Sequence, residues 1–423
     1  MPWGTGRQID KKRQILRREI MLPQHKVIFE PINIGNVKID NRVALAPTHV
    51  GMGDHTGMVT DQYLCYYFTR AAGGTGLIIV EITGVSGRFA FIQGPGLGAA
   101  SDRSIPGFKD LAQVIRWGGA KAFIQLLPGH GAQAMSHHER RPLVGPSDVP
   151  ALLQQEGLPK AVRGLLKETP ERPRPLEVDE IQGLKDAMVR AAGRVKRAGF
   201  EGVEVHGAHG YLLCQFTSPY YNRRKDDYGG SPENRWRFSL DIIRGIKEAL
   251  GEKFVVGYRF SAREWIPDGI DLPESIEMAK ALQDAGADYL SVSSGCYGAA
   301  TRVFPDEENT ITEDAAAIKK AVSVPVMCPN FMNPDTAAEA ISNGSVDMVA
   351  LSRPLLADPF WTKKVEEGRP EEIQHCKRCY ECIRTAVIDH VPIRCPANPK
   401  LGFERFDPES LPRPLKGKGA QEE

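Results

Sequence analysis

No run in this sequence approaches the roughly twenty apolar residues that a membrane-spanning helix needs. The opening stretch, MPWGTGRQIDKKRQILRREIM, lacks the apolar core of a secretory leader. The chain is therefore expected to be cytoplasmic and without a membrane span. Nor is either sign of charge in excess: 54 Lys and Arg face 53 Asp and Glu. That balance excludes the one-signed field that would draw in nucleic acid or an anionic bilayer, so a small molecule or another protein is the expected partner. In a reducing compartment the 8 cysteines are not expected to form structural disulfides. Cys65, Cys214, Cys296 and Cys328 are scattered, and the other four cluster near the C-terminus.

What is present is an alternation. Between about residues 40 and 365, short β-branched or apolar runs take turns with amphipathic stretches, the pattern of repeated βα units around a parallel sheet. The runs read as strands are 43–47, 77–81, 122–126, 202–206, 254–260, 288–293, 324–327 and 347–351. Eight such units predict an α/β fold, a (β/α)8 barrel, over residues 27–365. Residues 1–26 read as a basic arm, 366–402 as a separate cysteine-bearing segment and 403–423 as an extended tail. Helices are well marked: SPENRWRFSLDIIRGIKEAL follows a Gly-Gly turn with a Ser cap, and PDTAAEAISNG ends on Gly. The insertion at 128–176 carries many prolines with His137, His138, Arg140, Arg141, Arg172 and Arg174, and is read as a lid or substrate wall.

In such a barrel, chemistry comes from the carboxyl ends of the strands. Here those ends read Pro47-Thr48-His49, Glu81-Ile82-Thr83, Gln125, His206 to Tyr211, Arg259, Ser293 to Tyr297, Asn330 and Ser352-Arg353. A single polar residue there usually satisfies a backbone group, but the set is more telling than its members. Gln125 and Arg259 supply an amide and a cation suited to the pyrimidine edge of a flavin, where Arg stabilises charge arising on reduction. Asn330, Ser352 and Arg353 stand where barrels bind phosphate, after strands seven and eight.

Near the C-terminus, Cys376-x2-Cys379-x2-Cys382-x12-Cys395-Pro396 places three thiolates to face one compact centre. A structural zinc site usually uses two separated Cys-x2-Cys knuckles, so the spacing favours a [4Fe–4S] cluster over zinc. Gly94-Pro-Gly-Leu-Gly98-Ala99 is the only approach to a dinucleotide fingerprint, and it lacks the strand–turn–helix setting, so it is read as a loop.

The segment EVHGAHGYLLCQFTSPYYNRRKDDYGG, with NRVALAP, GLIIVE, FIQL, GYRFS and MVALSRPLLADP in order, resembles the Old Yellow Enzyme family. The form HGAHGY is similar to the iron–sulfur branch that holds 2-enoate reductase, 2,4-dienoyl-CoA reductase and trimethylamine dehydrogenase, and the likeness covers about residues 27–400. The resemblance implies FMN at the barrel mouth, contacted by Pro47, Thr48, His49, Ile82, Gln125, Arg259, Asn330, Ser352 and Arg353. It implies that His206 and His209 bind the substrate's oxygen and that Tyr211 donates a proton, with Tyr297 as an alternative acid. His49 falls where the family varies, close to the flavin, and reads as a tuning residue.

The expected reaction is reduction of an activated C=C bond in an enoate, enone or enoyl-CoA. Relatives commonly continue past the cluster into an FAD- and NAD(P)H-binding domain. The sequence given stops soon after Cys395, so the expected electron donor is a separate FAD subunit, electron-transfer flavoprotein or ferredoxin, and an oligomer is expected. Two other readings stay open: an amine dehydrogenase or demethylase passing electrons outward, and a non-catalytic electron-transfer subunit.

Overall fold

All eight apolar runs become strands in a computed structural model that describes residues 21–86, 96–134, 143–153 and 171–414. They are β1 (Val43–Leu45), β2 (Leu77–Gly84), β3 (Lys121–Leu127), β4 (Gly202–Gly207), β5 (Val255–Ser261), β6 (Tyr289–Ser293), β7 (Val326–Cys328) and β8 (Met348–Leu351). Each pairs in parallel with the next, and β8 returns to β1 through Val349 opposite Val43 and Leu351 opposite Leu45, which closes the barrel. Both faces of these strands are covered, which is why they read as unbroken apolar runs instead of alternating ones.

At least one helix follows each strand, and the ones that pair with the strands are α1 (Asp61–Ala72), α2 (Ile105–Trp117), α3 (Val178–Arg197), α4 (Pro232–Leu250), α5 (Leu272–Asp284), α6 (Thr312–Lys319), α7 (Pro334–Ser342) and α8 (Arg353–Ala357), with short helices such as Leu212–Thr217 between them. Local chemistry sets where they begin. Ser231 accepts the Asn234 N–H ahead of α4, Asp271 the Glu274 N–H ahead of α5, and Glu177 with Glu180 forms a capping box on α3. Inside the barrel, Leu77, Ile79, Phe123, Val255, Met327 and Met348 pack against Ile34, Val37 and Ile39 of a hairpin, Ile32–Ile34 with Val37–Ile39, that plugs the amino-terminal end. The apolar filling thus occupies one end and leaves the carboxyl ends of the strands for polar groups. Among the described residues, no helix is long and apolar enough to cross a membrane.

Three readings of the sequence change here. The arm read over residues 1–26 does not stay apart from the barrel at its end: Pro23–Phe29 forms a 3-10 turn whose buried His25 meets Asp335 of α7 at 2.7 Å, while residues 1–20 lie outside the described part. The tail is not extended at its start, because Glu404–Phe406 and Pro408–Ser410 form turns on α1. The reason is Arg70, a fully buried cation of α1, which takes Glu404 as counter-ion at 2.9 Å and lies 3.7 Å from the Tyr66 ring centroid. Third, Leu97 and Gly98 pair as a short strand beside Thr83 and Gly84; Gly94 lies outside the described residues. Of the insertion, Val144–Gly145 pairs with Arg174–Pro175, and residues 135–142 and 154–170, with His137, His138, Arg140 and Arg141, lie outside the description.

Candidate active site

The carboxyl ends of the strands open into a cavity, and every strand-end residue expected to meet flavin or substrate lines it. Pro47, Thr48 and His49 come from the end of β1, Ile82 from β2, Gln125 from β3, His206, His209 and Tyr211 from β4 and the turn after it, and Arg259 from β5. Tyr297 follows β6, Asn330 follows β7, and Ser352 and Arg353 follow β8. A register shift between Val80 and Thr83 puts Ile82 on the cavity and turns Glu81 toward α1, where it accepts from Tyr63 and from the Val50 N–H.

Apart from His49 Nδ1, which faces Glu81 at 3.3 Å, five buried polar atoms of these cavity-lining residues have no hydrogen-bond partner among the described residues: Gln125 Oε1, His206 Nδ1, Arg259 Nε, Asn330 Oδ1 and Arg353 Nη1. Buried polar atoms are nearly always hydrogen-bonded, so five gathered at one cavity indicate a ligand with its own donors and acceptors. Three of these side chains are anchored at their other end. Gln125 Nε2 donates to Glu204 at 2.7 Å, Asn330 Nδ2 to the Glu307 carbonyl at 2.8 Å, and Arg353 Nη2 to the Pro305 carbonyl at 2.9 Å. Thr48 and Ser352 hydroxyls meet at 2.7 Å across the β1–β8 seam.

The same cavity holds the histidine and tyrosine set. His209 adopts a left-handed conformation (φ 62°), unusual for a residue with a Cβ. It is held there by its N–H to Ser261 Oγ at 3.0 Å and by Gln133 Nε2 on its carbonyl at 3.0 Å. That turn brings the His209 ring 5.3 Å from His206, and His209 Nε2 rests 2.7 Å from Ser293 Oγ. Tyr211 packs edge-on to His206 and His130, and its hydroxyl lies 2.9 Å from that of Tyr297.

Burial, joined by the charge of Arg259, holds both histidines well below their usual range, so both rings are neutral at pH 7. Burial raises the Tyr211 phenol well above its usual value, and Tyr297 adds to the shift, so it keeps its proton. His49 behaves the other way. Burial works to lower it, but Glu81, whose Oε2 lies 3.3 Å from Nδ1, prevails and raises it.

The sequence reading missed part of the wall. Phe304, Ile311, Phe331 and Met332 come from the loops after β6 and β7, and Cys382, Ile383, Val387 and Ile393 from the cysteine-bearing segment, which folds back over the mouth. Its return is fixed by the Ile393 N–H on the Val50 carbonyl at 2.9 Å and by Asn398 on the Leu356 carbonyl at 2.9 Å. No apolar period announces such a covering. Arg172 and Arg174 do not line the cavity; they face Asp148 and Glu180.

Cys376, Cys379, Cys382 and Cys395 are all unbonded thiols, and among the described residues no three metal-ligating side chains are drawn into a coordinating group. The loop is nonetheless tightly wound: Arg378 and Tyr380, one in each interval between cysteines, are both left-handed (φ 52° and 58°), and the Arg378 N–H points at Cys376 Sγ, 3.4 Å away.

Comparison with known proteins agrees with this geometry. The family described as NADH:flavin oxidoreductase / NADH oxidase matches residues 27–372. The chain is 38% identical over 400 residues to an NADH oxidase of Thermoanaerobacter brockii, covering 92% of this chain and 58% of that protein. It is 32% identical to a cinnamate reductase of Clostridium sporogenes, covering 91% and 59% respectively. A solved 2-naphthoyl-CoA reductase superposes with a TM-score of 0.82 at 28% identity, over 91% of this chain and 58% of that one. The chain thus spans under two thirds of the length of each of these proteins. With its closed (β/α)8 barrel and its cavity at the carboxyl ends of the strands, the chain belongs to the NADH:flavin oxidoreductase / NADH oxidase family of Old Yellow Enzyme-like, FMN-dependent oxidoreductases.

Proposed function

We propose that this protein reduces an activated carbon–carbon double bond conjugated to an acid, ketone or thioester carbonyl. One observation carries the reading: the His206 and His209 imidazoles and the Tyr211 phenol face the same cavity as Arg259 and the anchored Gln125, Asn330 and Arg353 side chains. The unsatisfied atoms fit FMN, an amide and a cation for its pyrimidine edge and Asn330, Ser352 and Arg353 for its phosphate. Bound there, FMN supplies the hydride taken up by the β-carbon.

The chain's own groups do the rest. A neutral imidazole carries one N–H: His206 offers one donor, and His209, with Nε2 accepting from the Ser293 hydroxyl, offers Nδ1–H to the substrate's carbonyl oxygen, where charge accumulates as the β-carbon is reduced. Neutrality matters, because two imidazolium rings 5.3 Å apart would repel each other in a dry site. Tyr211, its proton retained and its hydroxyl aligned by Tyr297, protonates the α-carbon. The apolar wall of Phe304, Phe331, Ile383 and Val387 excludes water from the reacting centre.

The cysteines suit a [4Fe–4S] centre: four thiols at x2, x2 and x12 spacing, a loop wound by left-handed residues, and a backbone N–H directed at sulfur. Cys376, Cys379, Cys382 and Cys395 would hold it, and Cys382 also lines the cavity. A cluster there would carry single electrons, which suits a flavoprotein or ferredoxin centre as donor. The amine-dehydrogenase reading gains no support from the cavity, whose catalytic wall is built of neutral donors.

The experiment is anaerobic photoreduction of the purified protein followed by mixing with enoates, enones and enoyl thioesters. Reoxidation of the flavin with one saturated product per flavin is expected. If none of these reoxidises it while an amine reduces the oxidised protein, the proposal fails in favour of the amine reading.

A further inference from the structure

Glu204 lies behind the cavity wall, fully buried in the barrel interior. It stands in register with Gln125 of β3 on one side and Gly257 of β5 on the other. Each carboxylate oxygen has a donor: Gln125 Nε2 at 2.7 Å on Oε1, and the Tyr289 hydroxyl at 3.0 Å on Oε2. Tyr289 belongs to β6, two strands away, and its ring reaches Glu204 by crossing β5 at Gly257. A Cβ on Gly257 would stand 2.1 Å from that ring, so the glycine is what lets the phenol through. Burial raises the Glu204 pKa, while Arg259 foremost, then Gln125 and Tyr289, oppose the rise.

The consequence concerns the Gln125 amide. With its nitrogen committed to Glu204, its oxygen is left buried and without a partner among the described residues, in a side chain that lines the cavity. An amide alone has no preference between its two orientations; the carboxylate behind it supplies one, because only NH2 can face an anion. Arg259 is the second group that Glu204 governs. Its guanidinium is buried beside the same cavity, two residues beyond Gly257 on β5 and so on the same face of the strand as that neighbour of Glu204, and carboxylate and cation attract each other.

We propose that Glu204 is a positioning residue for the flavin: it fixes Gln125 as a hydrogen-bond acceptor toward the cavity and moderates the Arg259 cation, and so sets both FMN affinity and the ease of its reduction. This rests on the FMN reading given above. A carboxylate at this place destabilises electrons added to the flavin, and its loss makes reduction easier.

Two substitutions separate the two roles, with FMN binding by the parent protein measured first as a check on the flavin reading itself. Glu204→Gln removes the charge and presents an NH2 group where Gln125 or Tyr289 needs an acceptor. FMN affinity should fall about tenfold, and the equilibrium constant for two-electron reduction should rise about tenfold, equivalent to about +30 mV. Glu204→Asp keeps the charge and loses the reach to Gln125, so affinity should fall while the reduction equilibrium stays within about threefold of the parent's. Gly257→Ala, which displaces Tyr289 without touching the carboxylate, should also weaken FMN binding. Affinity unchanged in both Glu204 variants overturns the proposal. So does weaker binding in both without the shift in reduction equilibrium for Glu204→Gln, since a merely structural residue would behave that way. If the parent binds no FMN, the flavin reading fails instead.

Discussion

Tyr211 and Tyr297 form the pair on which proton delivery turns. Their hydroxyls are 2.9 Å apart, burial raises the pKa of each, and Tyr211 is raised further by its partner. Tyr211→Phe should slow flavin reoxidation by the unsaturated substrate by a factor of about a hundred or more, with flavin content and flavin photoreduction unchanged. Tyr297→Phe should have a smaller effect, since it aligns the donor. Stopped-flow measurement of the reoxidation step decides this, and a Tyr211→Phe rate within threefold of the parent would remove the assigned role. Both tyrosines were named from the sequence, Tyr211 because it falls within six residues of His206 at one strand end and Tyr297 as an alternative acid by resemblance. The bond to Tyr297 spans 86 residues and could be seen only once β4 and β6 were placed around the barrel.

At the scale of elements, the turn after β4 is braced from the loop after β5. Glu264, fully buried, takes the Ser218 hydroxyl at 2.5 Å and the Ile270 N–H at 2.9 Å, with Cys214 Sγ at 3.7 Å. It thereby joins the helix Leu212–Thr217, which starts directly after Tyr211, to the β5–α5 loop. Burial raises its carboxyl to about 7. The folded state therefore holds a proton that the unfolded chain releases above its own pKa of about 4.3. Stability contributed here is full below that value and declines as pH rises toward 7. Glu264→Gln stays neutral throughout, so the difference in urea-unfolding free energy, parent minus variant, should fall between about pH 4.5 and 7 and be flat on either side. A flat difference across that window would show that the carboxyl is ionised in the fold. The strands and two helices that open on a cap and a proline, α4 and α7, were legible at this scale, since period, caps and Pro at the first turn are local signals. The register shift in β2 was not: nothing in Val80–Thr83 states that Glu81 turns outward to Tyr63.

For the molecule as a whole, the cysteine-bearing segment is a wall of the cavity as well as a candidate cluster site. Anaerobically purified protein should contain about four irons and four acid-labile sulfides per chain. Cys382→Ser should lose them and keep its flavin, because the barrel groups that hold FMN come from other elements. Iron and flavin analysis measures both, and full iron in that variant would exclude Cys382 as a ligand.

The sequence by itself determined what is local: the βα alternation, the polar residues that end each strand, and the spacing of four cysteines. Each depends on neighbours a few positions apart, and backbone geometry converts such spacing directly into a shared face or a common turn. Tertiary structure alone decided that Glu204 stands between Gln125 and Tyr289, that Glu81 meets His49, that Glu404 answers Arg70, and that Ile383 and Ile393 close over the barrel mouth. Those contacts join residues between about 30 and 340 positions apart. Their partners are set by barrel closure and by the need to match buried charge with charge, conditions that no local period records.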